Sequence, residues 1–577
     1  MKFIDIIKQN ELLKLYLTDK DNIEIIVLSN ITLNQIAPIL EFEFRNSGLN
    51  VFVKIGEYDN ILQTSEIIKD EIPIVFWELS NLKESFVYEI ELYNDEKFNR
   101  YFEKTIQELN ILFSSLKNKK LVFFNKFSHI LFSNSILNKS NFEIFVNKIN
   151  HFLIENLPKN FILVEIDKII ASLGIENVIN FRNFYQSKSL YTIDFLKKYS
   201  FFISPAVLSL YGKSKKALIL DCDNTLWNGI VGEDGIDGIQ LSETNKKGIF
   251  FKEIQILAKY LSNKGIILGI CSKNNENDVI EVFERRKDMI LLSSDIIIKK
   301  INWTNKSSNI ESIAKELNIG IDSIVFIDDS TFEIELIKEQ LPQVYTLQVP
   351  EDLSLYPVKM FELTNLFYSS SISKEDLDRN RMYREDKFRQ DIKEKFDNLE
   401  EYLEKLEISI EFTNKDTDAK DRISQLTQKT NQFNLTTRRY SIADISNFFE
   451  LDNFDIISIN VSDKYGNTGL TGICIIEYNG VNATIDTFLM SCRILGRNIE
   501  NVFLLEILEH INKKGFKYIY STYIKTIKNL QTEYFYENNN FTIVETLDNT
   551  KKYRIDSSKY ITFQNTYNYI KRIWKKK

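Results

Sequence analysis

The chain has 577 residues, 44% hydrophobic and 27% charged, which is the composition of a soluble globular protein. It is too long for one ordinary core, and its length predicts about three to four domains. The formal net charge of −8 disfavours non-specific nucleic-acid binding. We therefore expect no nucleic-acid partner. No apolar run approaches the ~20 residues of a membrane helix, so we expect no membrane partner either.

The four cysteines are scattered along the chain and form no C-x-x-C pair. They therefore argue against a disulfide framework and indicate a reducing compartment. The first five residues contain an acid and no small-residue cleavage site, which argues against a signal peptide. We expect a cytoplasmic protein.

In residues 1–210, short apolar runs alternate with longer segments of mixed polarity. The predicted strands are 23–28, 51–55, 74–77, 121–124 and 161–166. Alternation of strands with helices implies a parallel, doubly wound sheet. We therefore predict an N-terminal α/β domain of flavodoxin-like type.

A second alternating unit is predicted over residues 211–365. Its predicted strands are 217–220, 266–271, 289–292 and 324–327. Residues 366–406 are densely charged, with apolar residues at helical spacing, which indicates a connecting helical segment.

Residues 407–577 are predicted to form an α+β domain with mainly antiparallel strands. The predicted elements are strands at 408–412, 456–461, 472–478 and 483–490, a helix at 498–513, and strands near 518–523 and 541–546.

Two aspartates, Asp221 and Asp223, follow the apolar strand 217–220. Open α/β sheets bind their ligands at the carboxyl ends of such strands. A turn after Asp221 can bring both carboxylates to one spot. There the pair could hold a hard cation such as Mg²⁺ while one carboxylate attacks phosphorus and the other moves protons. The alternative is an Asp-Asn turn that caps the next helix.

Later segments place more polar groups at the same predicted edge. Ser272 follows the strand 266–271, Lys306 comes next in the chain, and Asp328-Asp329 end the strand 324–327. An acid pair, a hydroxyl, a lysine and a second acid pair are what metal-assisted phosphoryl transfer requires. Together they favour phosphoryl transfer over the capping turn.

Residues 221–229, Asp-Cys-Asp-Asn-Thr-Leu-Trp-Asn-Gly, resemble subclass IIIC of the haloacid dehalogenase (HAD) superfamily. The resemblance implies a Rossmann-like domain in which Asp221 is the nucleophile that forms an aspartyl-phosphate and Asp223 is the general acid/base. It implies Mg²⁺ between Asp221, the main-chain carbonyl of Asp223 and Asp328, with Asp329 in support. Ser272 and Lys306 would bind the transferring phosphoryl group.

The two gaps in which this superfamily carries cap domains are short. Only 47 residues lie between Asp223 and Cys271, and 33 lie between Ser272 and Lys306. Neither gap holds a large cap domain. An uncapped site would admit bulky or protein-borne substrates.

Residues 488–498 pass from a strand into a helix start, where backbone N–H groups can cradle a pyrophosphate. Arg493-x-x-Gly496-x-Asn498 resembles the Gln/Arg-x-x-Gly-x-Gly/Ala loop of GNAT acyltransferases. The resemblance implies that Arg493, Gly496, Arg497 and Asn498 bind acyl-CoA or a phosphopantetheine arm.

Residues 535–541 resemble the late Phe-Tyr segment of the same family. Asn498 and Asn540 replace small residues that the family carries at these two places. The alternative to a cofactor site is a packed aromatic pair followed by an ordinary helix N-terminus.

Residues 422–439, 463–466 and 491–497 resemble the signature of FkbH-like proteins. The resemblance implies a HAD-plus-GNAT-like enzyme that loads a glyceryl unit from 1,3-bisphosphoglycerate onto an acyl carrier protein. The residue pattern of 422–439 predicts an amide-rich helix that enters a polar loop. Its polar side chains either line a polar cleft or tie two domains together.

Cys271 immediately precedes the predicted phosphate ligand Ser272. A thiolate beside Lys306 and Mg²⁺ would have a lowered pKa and would accept the glyceryl group as a thioester. The alternative for Cys271 is a small buried residue at a strand end. Cys222, between two aspartates, is expected to point into the core.

Ser29 follows the first strand, where an SGNH-type hydrolase has its nucleophile. The Asp-x-x-His partner is missing, because residues 183–199 contain no histidine, and a serine without a base is a poor nucleophile. The region resembles a degenerate SGNH-like fold used for docking or scaffolding. Esterase activity is the alternative.

The leading functional hypothesis is an Mg²⁺-dependent HAD-type phosphatase and acyl transferase that takes 1,3-bisphosphoglycerate and loads an acyl carrier protein. The alternative is a HAD phosphatase for a small sugar or glycerate phosphate, with separate GNAT-type acyl transfer in surface-polysaccharide synthesis. A non-catalytic scaffold fits poorly, since the predicted catalytic side chains are all present.

Overall fold

The structure is a computed structural model that describes residues 1–18, 22–132, 138–242, 246–369, 381, 382, 385, 389, 396, 398–526, 528–558 and 567–575. The chain divides into two compact units, Met1–Leu208 and Ser209–Lys577. The first unit holds one β-sheet and the second holds two. Among the described residues, no helix combines the length and the apolar character that a membrane crossing requires.

The first unit is built on a five-stranded sheet in the order β2-β1-β3-β4-β5, with every pairing parallel. Its strands are β1 (Asn22–Ser29), β2 (Asn50–Ile55), β3 (Ile72–Phe76), β4 (Val122–Asn125) and β5 (Phe161–Val164). This is the flavodoxin-type strand order. The predicted parallel α/β sheet is confirmed, although β5 ends before residue 166, where a helix begins.

Helices connect the strands of the first unit. They are Phe3–Tyr16, Ile36–Asn46, Ile61–Ile67, Phe86–Glu89, Asp95–Leu116, Asn141–Asn156, Ile166–Leu173, Ile175–Val178 and Phe181–Ser187, and the helix Ile193–Leu210 ends this part of the chain.

Ser29 ends β1 and is buried. Its hydroxyl donates to the carbonyl of Ile31 at 2.9 Å and accepts from the Ile31 amide at 3.0 Å. The side chain therefore closes a local turn. The degenerate SGNH-like interpretation stays a prediction.

The second sheet has the order β10-β9-β6-β7-β8 and is also parallel throughout. Its strands are β6 (Ala217–Leu220), β7 (Ile267–Ser272), β8 (Ile296–Ile301), β9 (Ile324–Asp328) and β10 (Tyr345–Gln348). The helices of this region are Val231–Gly238, Gly248–Asn263, Glu276–Arg285, Lys306–Glu316, Thr331–Gln340 and Tyr356–Leu363.

One predicted strand of the central unit is wrong. Residues 289–292 form no strand, and the strand of this part of the chain is β8. Met289 and Leu291 are buried, and their apolar side chains pack in the core without strand pairing. A short apolar run does not by itself distinguish a strand from a packed loop.

Strand β6 shows why the central region folds as a layered α/β structure. Ala217 and Ile219 pack into one hydrophobic cluster, while Leu218 and Leu220 pack into another. Alternate side chains of a strand point to opposite faces, so both faces of the sheet are covered. The continuous apolar run then ends at the sheet edge, where Asp221 begins the polar turn.

The described residues of the two expected cap positions form short elements of the core fold. The helices Val231–Gly238 and Gly248–Asn263 lie between β6 and β7, and the helix Glu276–Arg285 lies between β7 and β8. The described part of either connection contains no additional sheet, and the lack of a large cap stays a prediction.

The third sheet has nine strands in the order β17-β18-β16-β15-β14-β13-β11-β19, with β12 paired to β15. Its strands are β11 (Ser409–Asn414), β12 (Phe433–Asn434), β13 (Phe454–Asp463), β14 (Gly466–Asn479), β15 (Asn482–Met490), β16 (Tyr518–Ile524), β17 (Thr542–Leu547), β18 (Thr550–Asp556) and β19 (Lys571–Trp574). Most pairings are antiparallel, as predicted, and the parallel ones are β15 with β16 and β11 with β19.

The helices of the C-terminal region are Leu399–Lys405, Lys420–Lys429, Ile442–Glu450, Ile499–Lys513 and Phe535–Asn538. Most of the predicted connecting segment 366–406 lies outside the described residues. Its described end includes the helix Leu399–Lys405.

Strands β15 and β16 pair over four residues and then diverge. The gap between them is bridged by β12 and by Leu435, which follows it. The Leu435 amide donates to the carbonyl of Phe488 on β15 at 3.2 Å, and the Leu435 carbonyl accepts from the amide of Ile524 on β16 at 2.8 Å. The backbone of this segment therefore occupies the space between the two strands.

Candidate functional site

Four of the predicted site residues meet at the carboxyl edge of the second sheet. Asp221 follows β6, Ser272 ends β7, Asp328 ends β9, and Lys306 begins the helix after β8. Their exposed fractions are 6%, 1%, 0% and 3%. Parallel strands deliver all of these side chains to one edge, which is why residues more than 100 positions apart in sequence form one site.

Three carboxylates form the acidic centre of this site. One oxygen from each of Asp221, Asp328 and Asp329 lies within 4.8 Å of the others. The ammonium nitrogen of Lys306 lies 2.5 Å from Oδ2 of Asp328 and 3.2 Å from Oδ2 of Asp221. Three carboxylates and one ammonium leave two negative charges, which a divalent cation balances.

Asp221 has one carboxylate oxygen that the described residues do not satisfy. Its Oδ1 atom is buried and has no hydrogen-bond partner among them. A buried carboxylate oxygen without a donor or a metal is costly. Mg²⁺ prefers carboxylate oxygens as ligands, so the donor set of Asp221, Asp328 and Asp329 fits that ion.

Burial and neighbouring charges shift the pKa values of the cluster. Burial, and then the charge of Asp221, raise the pKa of Asp328 to about 7. Burial likewise raises the pKa of Asp221, against the opposing effects of Lys306 and the Ser272 hydroxyl. For Lys306, burial alone would lower the pKa, but Asp221 and Asp328 outweigh it and raise the pKa. A bound cation would stabilise the ionised carboxylates.

Asp223 is placed separately from the acidic centre. Its Oδ1 atom accepts from Nε1 of Trp227 at 2.8 Å and from the amide of Val231 at 3.1 Å. Its Oδ2 atom accepts from Nδ2 of Asn274 at 2.9 Å. Oδ2 therefore keeps a lone pair that can carry a proton. The Asp223 carbonyl stays a predicted metal ligand.

Asn274 is a functional candidate to which the sequence assigned no role. It bridges two predicted site residues, because its Nδ2 atom also lies 3.3 Å from Oγ of Ser272. Its position two residues after Ser272, at the end of β7, is the signal that could have identified it.

Cys271 faces away from the polar edge. It packs with Ile219 and Phe326 in an apolar cluster, and its sulfur lies 3.8 Å from the carbonyl of Lys306. Burial raises the pKa of Cys271 to about 12, which is opposite to the predicted lowering. Cys271 is buried because adjacent side chains of a strand point to opposite faces, so that Ser272 points toward the site and Cys271 points away from it. Cys222 is buried in the core, as predicted.

The predicted cofactor loop leads into the helix Ile499–Lys513. Gly496 and Asn498 both have a left-handed backbone, with φ of 75° and 61°, and Nδ2 of Asn498 donates to the hydroxyl of Tyr569 at 2.9 Å. Arg497 is buried and donates to the carbonyl of Arg493 at 3.0 Å.

Arg497 also takes part in an ion-pair cluster with the predicted motif 463–466. It lies 3.3 Å from Oδ2 of Asp463, and Arg389 binds both oxygens of the same carboxylate at 2.8 Å. A bidentate guanidinium–carboxylate pair fixes geometry strongly. The cluster therefore indicates a structural role for Arg497.

The amide-rich motif 422–439 mostly bonds to its own loop. Nε2 of Gln428 donates to the carbonyl of Tyr440 at 3.3 Å, and the guanidinium of Arg439 donates to the carbonyl of Thr427 at 2.6 Å. These contacts hold the loop in shape, and the two predicted roles, lining a polar cleft and tying two domains together, stay predictions.

Neither a protein-family model nor a curated protein matches the chain. A crystal structure of the N-terminal part of the protein BF1531 from Bacteroides fragilis, containing a phosphatase domain complexed with Mg, is similar with a TM-score of 0.56 and 27% identity. The match covers 64% of this chain and 100% of that chain.

Two acetyltransferase structures show slighter likenesses. The PaiA N-acetyltransferase from Thermoplasma acidophilum, in complex with coenzyme A, has a TM-score of 0.18 and 16% identity over 20% of this chain and 72% of that chain. The ribosomal-protein-S18-alanine N-acetyltransferase from Escherichia coli has a TM-score of 0.21 and 10% identity over 26% of this chain and 93% of that chain.

Proposed function

We propose that the edge of the second sheet is an Mg²⁺-dependent phosphoryl-transfer centre of HAD type. The observation that carries the proposal is the buried, unpartnered Oδ1 of Asp221 beside Asp328, Asp329 and Lys306. The similarity to a structure that contains an Mg-complexed phosphatase domain supports it.

In the proposed reaction, a carboxylate oxygen of Asp221 attacks the phosphorus of the substrate. The bond from phosphorus to the leaving oxygen breaks, and an aspartyl-phosphate forms. Oδ2 of Asp223 gives a proton to the leaving oxygen and later takes one from the water that hydrolyses the aspartyl-phosphate. When bound, Mg²⁺ would neutralise charge on the phosphoryl oxygens.

Lys306 and Ser272 bind the phosphoryl group in this proposal. The Lys306 ammonium stabilises the negative charge that develops on the phosphoryl oxygens, and the Ser272 hydroxyl donates a hydrogen bond to one of them. Both side chains are buried, so their interactions are weakly screened by water.

For the whole protein, we propose that a glyceryl unit from 1,3-bisphosphoglycerate is loaded onto the phosphopantetheine thiol of an acyl carrier protein. The carrier sulfur attacks the acyl carbon, a thioester bond forms, and the acyl phosphate leaves as inorganic phosphate. The remaining phosphate monoester is hydrolysed at Asp221. The short connections between β6, β7 and β8 support this proposal, because an uncapped site would admit a protein-borne substrate.

Direct transfer to the carrier thiol fits better than transfer through Cys271. The Cys271 sulfur is fully buried, and its raised pKa keeps it as a thiol rather than the nucleophilic thiolate. The C-terminal region is proposed to bind the phosphopantetheine arm or acyl-CoA through Arg493, Gly496 and Asn498, whereas the guanidinium of Arg497 is held by Asp463 and supports this loop.

A second candidate function is hydrolysis of a small sugar or glycerate phosphate, with separate acyl transfer in surface-polysaccharide synthesis. The match to the BF1531 fragment covers all of that fragment and 64% of this chain, and it favours phosphatase chemistry without specifying a carrier. In this alternative, the acceptor of the acyl group is not a carrier protein.

Intact-mass spectrometry of a holo acyl carrier protein incubated with enzyme, Mg²⁺ and 1,3-bisphosphoglycerate tests the first candidate. We expect a mass increase of one glyceryl group. A carrier that stays unmodified while small phosphate esters are hydrolysed would favour the second candidate. Asp221→Asn is expected to abolish phosphate release. Asp237→Asn, at an exposed acid of the same region, is its matched control and is expected to release phosphate like the wild type.

A further inference from the structure

A cavity of about 650 Å³ lies in the second compact unit, away from the acidic centre. One wall comes from the amino ends of β6, β7 and β9, at Lys216, Ile267 and Ser323. Asp221 lies at the carboxyl end of β6, so roughly 15 Å of strand separates the two sites. The cavity is therefore distinct from the phosphoryl-transfer centre.

The opposite wall comes from the C-terminal region. It includes the helix Lys420–Lys429, the loop that follows it, and Cys492. Nζ of Lys216 donates to the carbonyl of Lys429 at 3.4 Å, and Nδ2 of Asn318 donates to the carbonyl of Cys492 at 3.3 Å. These two hydrogen bonds connect the walls, so a ligand between them contacts both regions.

The lining is strongly basic. Within the described part of the chain, seven cationic side chains line the cavity and no carboxylate does. The cationic residues are Lys215, Lys216, Lys264, Arg422, Lys429, Arg493 and Lys528. The chain as a whole carries a net charge of −8, so this clustering runs against its composition. A concave site with one sign of charge concentrates ions of the other sign.

One nearby acid, Asp322, partly offsets this charge from behind the lining. Its Oδ2 atom lies 2.5 Å from Nζ of Lys528, and its carbonyl accepts from Nζ of Lys215 at 2.7 Å. Burial lowers the pKa of Lys215 to about 8, with Asp322 opposing and the neighbouring cations Lys213 and Lys528 adding to the decrease. Asp322 carries one negative charge against the seven cationic side chains of the described lining, so an excess of positive charge remains.

The remaining lining is suited to the carbon part of a small molecule. Its apolar and aromatic members include Leu261, Phe361, Phe367, Tyr368 and Phe433. The volume is within the range of small-molecule sites, about 300 to 1,000 Å³. A lining that combines cationic and aromatic groups favours an organic phosphate over a simple halide.

We propose that this cavity is a second ligand site, which binds a phosphate ester carrying at least two negative charges between the central and C-terminal regions. The ligand bridges the two walls and stabilises their junction. The site is separate from the Asp221 centre, and its occupancy does not depend on Mg²⁺.

The test uses the full-length protein in EDTA, with inorganic pyrophosphate as the probe. Without metal, the carboxylates of the acidic centre repel an anion, so binding there is suppressed. Isothermal titration calorimetry is expected to show one saturable site that weakens as NaCl concentration rises. The melting temperature is expected to rise with pyrophosphate, because the ligand binds the folded state.

Two charge reversals, one on each wall, locate the site. Lys264→Glu and Lys429→Glu are each expected to weaken pyrophosphate binding about tenfold or more. Lys287→Glu, at an exposed lysine outside the lining, makes the same charge change and is expected to leave binding unchanged. If a reversal unfolds the protein, Lys264→Gln and Lys429→Gln replace it, with circular dichroism as the check on folding.

The proposal is overturned if the folded wild-type protein shows no saturable pyrophosphate binding in EDTA. It is equally overturned if both wall variants bind as tightly as the wild type, or if Lys287→Glu weakens binding as much as they do. Because every titration omits Mg²⁺ and substrate, failure of this site leaves the proposed phosphoryl-transfer function unaffected.

Discussion

Asn274 donates a hydrogen bond to Oδ2 of Asp223 at 2.9 Å and lies 3.3 Å from Oγ of Ser272, so one amide links the proposed acid/base to the hydroxyl that is proposed to bind phosphate. Asn274→Ala removes this positioning contact. We expect kcat for phosphate release to fall about tenfold or more with a smaller change in KM, together with a shift in the pH–rate profile.

The control for that variant is Asn275→Ala, since Asn275 is the exposed neighbour and its side chain bonds Asp278 at 3.1 Å. Its kinetics are expected to match the wild type. An unchanged pH–rate profile in Asn274→Ala would show that Asn274 does not act through Asp223.

Lys306→Met removes the only described ammonium that contacts Asp221 and Asp328. We expect phosphatase activity to fall by roughly 100-fold or more, because charge stabilisation of the transition state is lost. The melting temperature at neutral pH should also decrease, since buried carboxylates lose their partner, and Mg²⁺ should restore part of it. Lys287→Met serves as the control, and wild-type activity in Lys306→Met would contradict the assigned role.

Removal of the metal is expected to abolish phosphate release and to lower the melting temperature, because the carboxylates of the acidic centre then repel one another. Asp329→Asn should weaken Mg²⁺ binding, measured as a smaller rise in melting temperature at each Mg²⁺ concentration. Asp237→Asn should respond to Mg²⁺ like the wild type. An equal Mg²⁺ response in Asp329→Asn would exclude Asp329 from the metal site.

Glu78, in the first unit, is a buried acid that accepts a hydrogen bond from the hydroxyl of Tyr191 at 2.5 Å. Burial raises its pKa from 4.5 to about 7. The stability that this neutral group supports is fully present below pH 4.5 and is lost as the pH rises through 7. The loss at pH 8 is of the order of 3 kcal/mol.

Glu78→Gln keeps an acceptor for Tyr191 and cannot ionise. We expect it to raise the free energy of unfolding of the first unit at pH 8 and to have little effect at pH 5, measured by urea denaturation. The exposed Glu84→Gln is the control. A variant that is destabilised equally at both pH values would show that ionisation of Glu78 is not the cause.

The acidic site was predictable because its residues sit at the ends of apolar runs. Asp221 and Asp328 follow nearly uninterrupted buried strands, and parallel pairing necessarily brings such strand ends to one edge. Ser272 ends β7 and follows from the same rule. Lys306 does not, because it begins the helix after β8, and β8 was not among the predicted strands.

Other features depended on tertiary contacts that local patterns do not encode. The apolar residues of 289–292 pack in the core and pair with no strand. Strand β12 has only two residues, and its partner β15 lies more than 50 residues away in sequence. The predicted lowering of the Cys271 pKa is wrong, because strand alternation turns this side chain into the core, where burial raises its pKa. The role of Asn274 depends on a contact with Asp223 across two strand ends.

If Asp221 is the phosphoryl acceptor, the covalent intermediate can be trapped on it. Asp223→Asn is expected to slow hydrolysis of the aspartyl-phosphate, so this variant is incubated with Mg²⁺ and an activated phosphate donor, quenched and digested for peptide mass spectrometry. We expect one added phosphoryl group on the peptide that contains Asp221, and none on that peptide in the double variant Asp221→Asn/Asp223→Asn. Phosphate release that survives in the Asp221→Asn single variant would show that Asp221 is not the acceptor.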